Sequence, residues 1–540
     1  MTLARSAPWR RHLAATLSAL LLLPTLSALH LPAYAQVRLP SLGESASRDL
    51  SVGAERRLGE QIMREARRDP EFLDDPVLQE YLLSIWQPLV AAARQVGNID
   101  ADTENAFAWE AFLVKDRSVN AFALPGGFVG AHLGLIAITT TRDQFASVLA
   151  HELSHVTQRH IARSIAPQQQ ASMVAIAALL LGIIAASRTN NPDVANAAIM
   201  GGQGAAIQSQ LNFSRDMERE ADRIGYGLLG SAGFAPAGQA AMFDKMDIAM
   251  RLNDSGGFPY LRTHPLTVDR ISEARSRTLL GDSRLSAPTL QHALMQMRSR
   301  VLMDDSVQAL QRLNGNSSSP LLAERVAALY GGALAASMTK DHPRAERQAA
   351  LALQMAAGAT PREPQAERVL RLLQAQVLLN AGDAAGTLQS LDMLPGAAAE
   401  RPPMLLRAQA ALALQRSAPE AAKEPLRSST ENLQVWVAEQ PHDAAAWELL
   451  AATSQAQGLK LRSMRADAEA RAVLGDLTGA IDRLRAAQAA SRTAGGQDFI
   501  EGSIIDARLR QFTNQRRQLA LELRGENRGR PAPGEEPPPQ

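Results

Sequence analysis

Ten residues, Ser147 to Val156, hold the pattern His151-Glu152-x-x-His155 in a stretch that otherwise favours a helix. Four positions along an α-helix turn the chain by about 400°, so His151 and His155 fall on one face, roughly one turn apart. Two imidazoles placed that way can converge on one tetrahedral Zn²⁺, at nitrogen–metal distances of about 2.0–2.1 Å. Glu152 projects beside the first histidine, where a carboxylate can take the proton of a water activated by the metal. Val148, Leu149 and Val156 can bury the helix while its polar face looks into a cleft. A five-residue pattern does arise by chance, so the surrounding residues have to decide it.

Two histidines and a water leave such a metal one ligand short. Downstream stands Met217-Glu218-Arg219-Glu220-Ala221-Asp222. On a helix Glu218 and Asp222 share a face, whereas Glu220 is rotated by about 200° from Glu218, so only one of the two glutamates can meet the metal. Glu218 is the better candidate, because Asp222 one turn on can then reach a ligand histidine and fix its tautomer. Next comes Thr263-His264-Pro265, with Arg270 five residues on from the proline. A residue before proline is biased toward extended backbone, so His264 is expected on a loop. There it can hydrogen-bond the oxyanion of a tetrahedral intermediate, or bind the metal itself and close the site. Arg270 is expected to orient His264 or a nearby carboxylate. His160, about 180° round a continued helix from His151, reads as bland, as do His292, His342 and His442.

The elements that position these residues read as α+β. Glu55 to Arg68 and Asp75 to Val96 are expected helices, the second with Val77, Tyr81, Leu82, Ile85 and Leu89 at helical spacing. Short apolar runs at 109–114, 119–124 and 128–135 predict strands, the second ended by Pro125-Gly126-Gly127. The helix of the two histidines is expected to begin near Arg142. Between it and Glu218, residues 171–186 are uncharged and rich in Ala, Leu and Ile. That segment is too short to span a bilayer and reads either as a buried helix or as a lid or membrane-surface contact.

From about residue 287 strand signals vanish, and Ala381-Gly382-Asp383-Ala384 and Leu474-Gly475-Asp476-Leu477 each open a second apolar helix. A small residue at the turn followed by Ala and a large apolar residue is a degenerate tetratricopeptide-like pattern, whose stacked pairs form a concave surface for peptides or partner proteins. The N-terminus predicts an exported protein: Arg5, Arg10 and Arg11, an apolar run from Leu13 to Leu23, and Ala33-Tyr34-Ala35 before a cut. The rest of the chain balances 53 basic against 55 acidic residues, which leaves no charge argument for nucleic acid. With no cysteine there are no disulfides and no thiolate ligands, so only His and carboxylates remain to hold a metal. The expected organisation is a signal peptide at 1–35, a metallopeptidase domain at 36–285, an all-α tetratricopeptide-like repeat domain at 286–524 and a disordered tail at 525–540.

Taken in order, Asn120-Ala121-Phe122-Ala123-Leu124-Pro125-Gly126-Gly127, His151-Glu152-x-x-His155, Glu218-x-x-Ala221-Asp222 and His264-Pro265 with Arg270-Ile271 resemble the M48 family of zinc metallopeptidases. The resemblance covers roughly 36–275 closely and the repeats only as architecture. It implies a zincin-type (gluzincin) fold with one Zn²⁺ per chain on His151, His155 and Glu218, and Glu152 as general base. It also makes Asn120, Ala121, Phe122, Ala123 and Leu124 the strand beside the cleft, whose edge can take extended substrate by β-augmentation. With an export signal in front and repeats behind, the chain is similar to periplasmic members of the family. That implies quality control of unfolded or misassembled outer-membrane proteins, with repeats that contact substrates or the β-barrel assembly machinery. The competing expectation is a periplasmic chaperone or scaffold working through its repeats, its peptidase domain mostly latent.

Overall fold

The computed structural model describes residues 50–164, 214–252, 259–281, 284–394, 400–493 and 499–528. The expected signal peptide, the uncharged 171–186 segment and the last twelve residues of the expected tail lie outside these. Helix α1 (Val52–Ala66) and helix α2 (Pro76–Gln95) are capped by Ser51 and Asp75, whose side chains accept from the amides of Ala54 and Leu78. Along α2 the buried residues Val77, Leu78, Tyr81, Leu82, Ile85, Trp86 and Leu89 repeat at helical spacing. A short helix α3 (Ala101–Ala106) follows.

Four strands form one sheet in the order β1-β2-β4-β3, with β1 (Phe72–Leu73), β2 (Glu110–Val114), β3 (Ala121–Leu124) and β4 (Phe128–His132). β2 and β4 run parallel, while β1 and β3 are antiparallel to their neighbours. Side chains alternate between faces: Ala111, Leu113, Ala121, Val129 and Ala131 join the main core, whereas Phe112, Val114, Leu124 and Phe128 pack with Leu58, Ile62 and Met63 of α1. The β3–β4 turn needs its glycines, because Gly126 (φ 76°) and Gly127 (φ 89°) are left-handed. A Cβ on Gly126 would also lie 2.8 Å from the Arg56 Cα. The run at 128–135 is half strand, and helix α4 (Leu133–Ile138) begins where β4 ends.

Helix α5 (Arg142–Thr157) carries the two motif histidines and is buried from Asp143 through Val156. It packs against β3, α2, α7 (Arg215–Ser231) and α8 (Ala237–Leu252), which explains its lack of a polar solvent face. Its successor α6 (His160–Ser164) is set off by Arg159 at φ 51°. On α7 the buried stripe is Glu218, Ala221, Asp222, Gly225, Leu228 and Leu229, so two acids sit where helical periodicity calls for apolar residues. A Cβ on Gly225 would come within 3.2 Å of the Ala150–His151 backbone, and its absence lets α7 lie close against α5. The short helix α9 (Tyr260–Thr263) and helix α10 (Val268–Leu280) complete the surround.

Beyond this the described chain is helical. Helix α11 (Leu290–Leu302) packs on α4, with His292 Nδ1 2.6 Å from the Tyr81 hydroxyl and Arg298 paired to Asp75 at 2.6 Å. Arg298 also donates to the Tyr330 hydroxyl at 2.9 Å on helix α13 (Leu322–Met338), reached after helix α12 (Val307–Arg312). One apolar core therefore runs from Val77 to Leu394. The boundary expected at 285/286 is a change of composition and not a break in that core. Later helices form smaller clusters around Trp447 and around Ile481. Helix pairs turn by a repeated device: Gly382 (φ 90°) and Gly475 (φ 82°) are left-handed, and the next residues, Asp383 and Asp476, accept from the Gly386 and Gly479 amides at 2.8 Å. Arg368 bonds Glu80 at 2.6 Å and Arg401 bonds Asp74 at 2.7 Å, tying these helices back to α2 and its lead-in. The last helix runs to Arg528, into the stretch expected to be a tail from Gly525. Among the described residues no helix is long and apolar enough to cross a membrane.

Candidate active site

His151 and His155 meet on the α5 face turned to α7, their Nε2 atoms 3.0 Å apart. Glu218 reaches them from α7, with Oε2 3.5 Å from His151 Nε2 and Oε1 3.4 Å from His155 Nε2. His264 enters from the loop after α9, its Nδ1 2.9 Å from Glu218 Oε1 and 3.3 Å from His151 Nε2. One ligand atom from each of these four buried residues lies within 4.8 Å of the others. Three imidazole nitrogens and one carboxylate oxygen are a donor set suited to a divalent transition metal, zinc included. The outer nitrogens support the fit. His151 Nδ1 is 2.9 Å from Asp222 Oδ1 and His155 Nδ1 is 2.8 Å from His160 Nδ1, so both Nε2 lone pairs can face inward, where a shared cation relieves their repulsion.

Arg270 ties the acids together. Its guanidinium holds both Asp222 oxygens at 2.7 and 2.8 Å, Glu218 Oε2 at 2.7 Å and the carbonyl of Pro265 at 2.8 Å. Burial pushes the Glu218 carboxyl up, but His264, His151 and His155 outweigh it and hold it well below the usual range. Burial acts likewise on Asp222 and is outweighed by Arg270 and His151, so that carboxyl also stays ionised. Asp222 thus meets His151, and Arg270 meets the carboxylates of Asp222 and Glu218.

Glu152 is fully buried, and neither of its oxygens has a hydrogen-bond partner among the described residues. Its Oε1 lies 3.6 Å from His264 Nε2. A buried carboxylate without a donor is costly unless a water or a substrate group meets it. β3 is the terminal strand of the described sheet and packs against α5, the helix that carries His151 and His155. The amide of Tyr260 donates to the Val119 carbonyl at 3.4 Å, and its ring stacks on His264 at 4.6 Å. The His264 loop is thereby fixed against the lead-in to β3.

Three residues here escaped the sequence reading. Tyr260 carried no motif. His160 was placed on the far side of a continuous helix, but α5 stops at Thr157 and the left-handed Arg159 swings His160 back onto His155. Burial pushes the His160 ring down to about 4, so it is neutral at pH 7. Glu220 does point away from Glu218, as expected, and lands 3.1 Å from His160 Nε2.

Comparison with known proteins agrees with this geometry. Residues 84–278, which hold every side chain of the cluster, match the family model described as Peptidase family M48. The chain is 30% identical over 481 residues to the beta-barrel assembly-enhancing protease of Yersinia pestis, across 88% of this chain and 92% of that one. It is 34% identical over 248 residues to the protein of the same name in Escherichia coli strain K12, covering 46% and 48% of the two chains, so about half that relative's length is spanned. The mitochondrial metalloendopeptidase OMA1 of Saccharomyces cerevisiae is 30% identical over 193 residues, 35% of this chain and 52% of that one. From the cluster within the matched segment and a likeness that runs through nearly all of the Yersinia relative, the chain belongs to peptidase family M48.

Proposed function

We propose that this protein is a zinc-dependent endopeptidase of the cell envelope that degrades misfolded or stalled outer-membrane β-barrel proteins and assists their assembly. The observation that carries the chemistry is the buried set His151, His155, Glu218 and His264 with Glu152 beside it, whose oxygens no described residue hydrogen-bonds. His151, His155 and Glu218 would hold the metal, and zinc, when bound, supplies Lewis acidity that acidifies water and polarises the scissile carbonyl. Glu152 accepts the water's proton and returns it to the leaving amine. Asp222 orients His151, and Arg270 holds Asp222 and Glu218 in register. The 120–124 strand takes extended substrate along its edge, with little side-chain selectivity.

The envelope setting rests on the expected export signal and on the names of the bacterial relatives. Helix pairs turned by a left-handed glycine and an Asp cap support a tetratricopeptide-like domain that holds substrates or the assembly machinery. A second reading, a repeat-based chaperone with a mostly latent protease, is favoured by one contact: His264 Nδ1 sits among the donor atoms, where it would complete a closed four-donor set. Purified full-length protein incubated with an unfolded porin tests the proposal. Cleavage lost to a chelator and restored by Zn²⁺ is expected. Protection of the porin from aggregation with no cleavage at any zinc level would leave only the chaperone reading.

A further inference from the structure

The two histidines of α5 are oriented by unlike partners. His151 faces a carboxylate directly, with Nδ1 2.9 Å from Asp222 Oδ1. His155 bonds another imidazole, His160, with the two Nδ1 atoms 2.8 Å apart and the rings at 76°. His160 is fully buried, and its other nitrogen, Nε2, is 3.1 Å from Glu220 Oε2. Arg163 holds that same oxygen at 3.0 Å. The backbone is bent to make this relay. Arg159 sits at φ 51°, in the left-handed region that L-residues rarely adopt. Its own guanidinium is buried against Glu55 at 2.8 Å and the Leu50 carbonyl at 2.7 Å, which fixes the turn.

Counting hydrogens gives the relay a direction. A carboxylate paired with arginine only accepts, so His160 Nε2 carries a hydrogen toward Glu220. A ring that carries its one hydrogen on Nε2 has its lone pair on Nδ1. Two Nδ1 atoms at 2.8 Å share one hydrogen, and it must belong to His155. That leaves the lone pair of His155 on Nε2, facing the cluster. We infer that His160 and Glu220 are positioning residues that select the metal-binding tautomer of His155, as Asp222 does for His151. This rests on the metal-site reading above.

Zn²⁺ dissociation constants, measured on the full-length protein by competition with a chromophoric chelator, test the relay. His160→Leu removes the acceptor and is expected to weaken zinc binding by about 10–100-fold. His160→Asn is the rescue, because its Oδ1 can accept the same hydrogen near the position of Nδ1; it should bind close to wild type. Glu220→Leu leaves His160 in place but without direction, and a loss of about 10-fold is expected. It also carries the test should His160→Leu fail to fold. Wild-type affinity in both leucine variants would overturn the relay, and so would an equal loss in His160→Asn and His160→Leu. A wild type that binds no zinc would instead bring down the metal reading itself.

Discussion

Replacing Arg270 with methionine keeps much of the side chain's volume over the Phe243 ring and removes a guanidinium that is 3% exposed. Three hydrogen bonds of 2.7 to 2.8 Å go with it, two to Asp222 and one to the Pro265 carbonyl, together with the 2.7 Å ion pair to Glu218. Those acids stay behind, each at most 1% exposed. Removing one partner of a buried ion pair typically costs about 3–5 kcal/mol, because the remaining charge is stranded. Asp222 loses its main partner whereas Glu218 keeps its three histidines, so the lower part of that range is expected without metal. A bound divalent cation replaces part of the lost positive charge, so the penalty should shrink in excess zinc. Lysine at 270 should fall between, since an ammonium is a point charge and cannot bracket Asp222 while holding Glu218. Urea unfolding in chelator and in zinc, with midpoint shifts multiplied by the slope, measures both numbers. A loss below about 1 kcal/mol in chelator, the scale of an exposed pair, would refute the reasoning. So would a larger loss with zinc than without it.

Glu218→Gln should lower the zinc content of the purified protein far more than Glu220→Gln, because glutamine at 220 keeps an acceptor for His160 whereas glutamine at 218 loses a charged ligand; equal contents would reject the assignment. If His264 mainly closes the site, His264→Ala raises basal cleavage of unfolded substrate; if it mainly binds the oxyanion, the same change loses roughly 10²–10³ in kcat with zinc retained, and unchanged kinetics would exclude both roles. Burial pushes the Asp116 carboxyl up, but the nearby His132 ring and the hydrogen bond from the Ser118 amide outweigh it and hold the pKa at about 2 against an ordinary 3.8. A depressed folded pKa contributes stability that is complete above 3.8 and lost as pH falls toward about 2. The Tm gap between wild type and Asp116→Asn should therefore hold steady above 3.8 and close below it; a gap that widens in acid would contradict this sign.

Much of the site was legible because its chemistry repeats at helical spacing. The four-residue step from His151 to His155 and from Glu218 to Asp222 is local information, and it was enough to choose Glu218 over Glu220. The strands at 110–114 and 121–124 were visible as short apolar runs, the second ended by Pro125 and a glycine pair. The His155–His160 contact was not, since no glycine or proline marks the break at Arg159, whose left-handed backbone is held by the distant Glu55 and Leu50. The composition change near 287 also says nothing of what packs across it. The last described strand already ends at His132, and His292 and Arg298 reach back across position 287 to Tyr81 and Asp75 by a long-range pairing that leaves no periodic trace. Two-residue β1 is set by its register with Val114 and Leu113 and not by its own sequence.

The central claim is that a buried carboxylate beside a metal does the hydrolysis, and Glu152→Gln tests it most directly. Glutamine is nearly isosteric and leaves His151, His155 and Glu218 untouched, but it cannot accept the water's proton. Zinc per chain and the rate of cleavage of an unfolded porin would be measured side by side for wild type and variant. The expected result is wild-type zinc content with the rate down by at least about 10²–10⁴. A zinc-loaded variant that cleaves at the wild-type rate would contradict it.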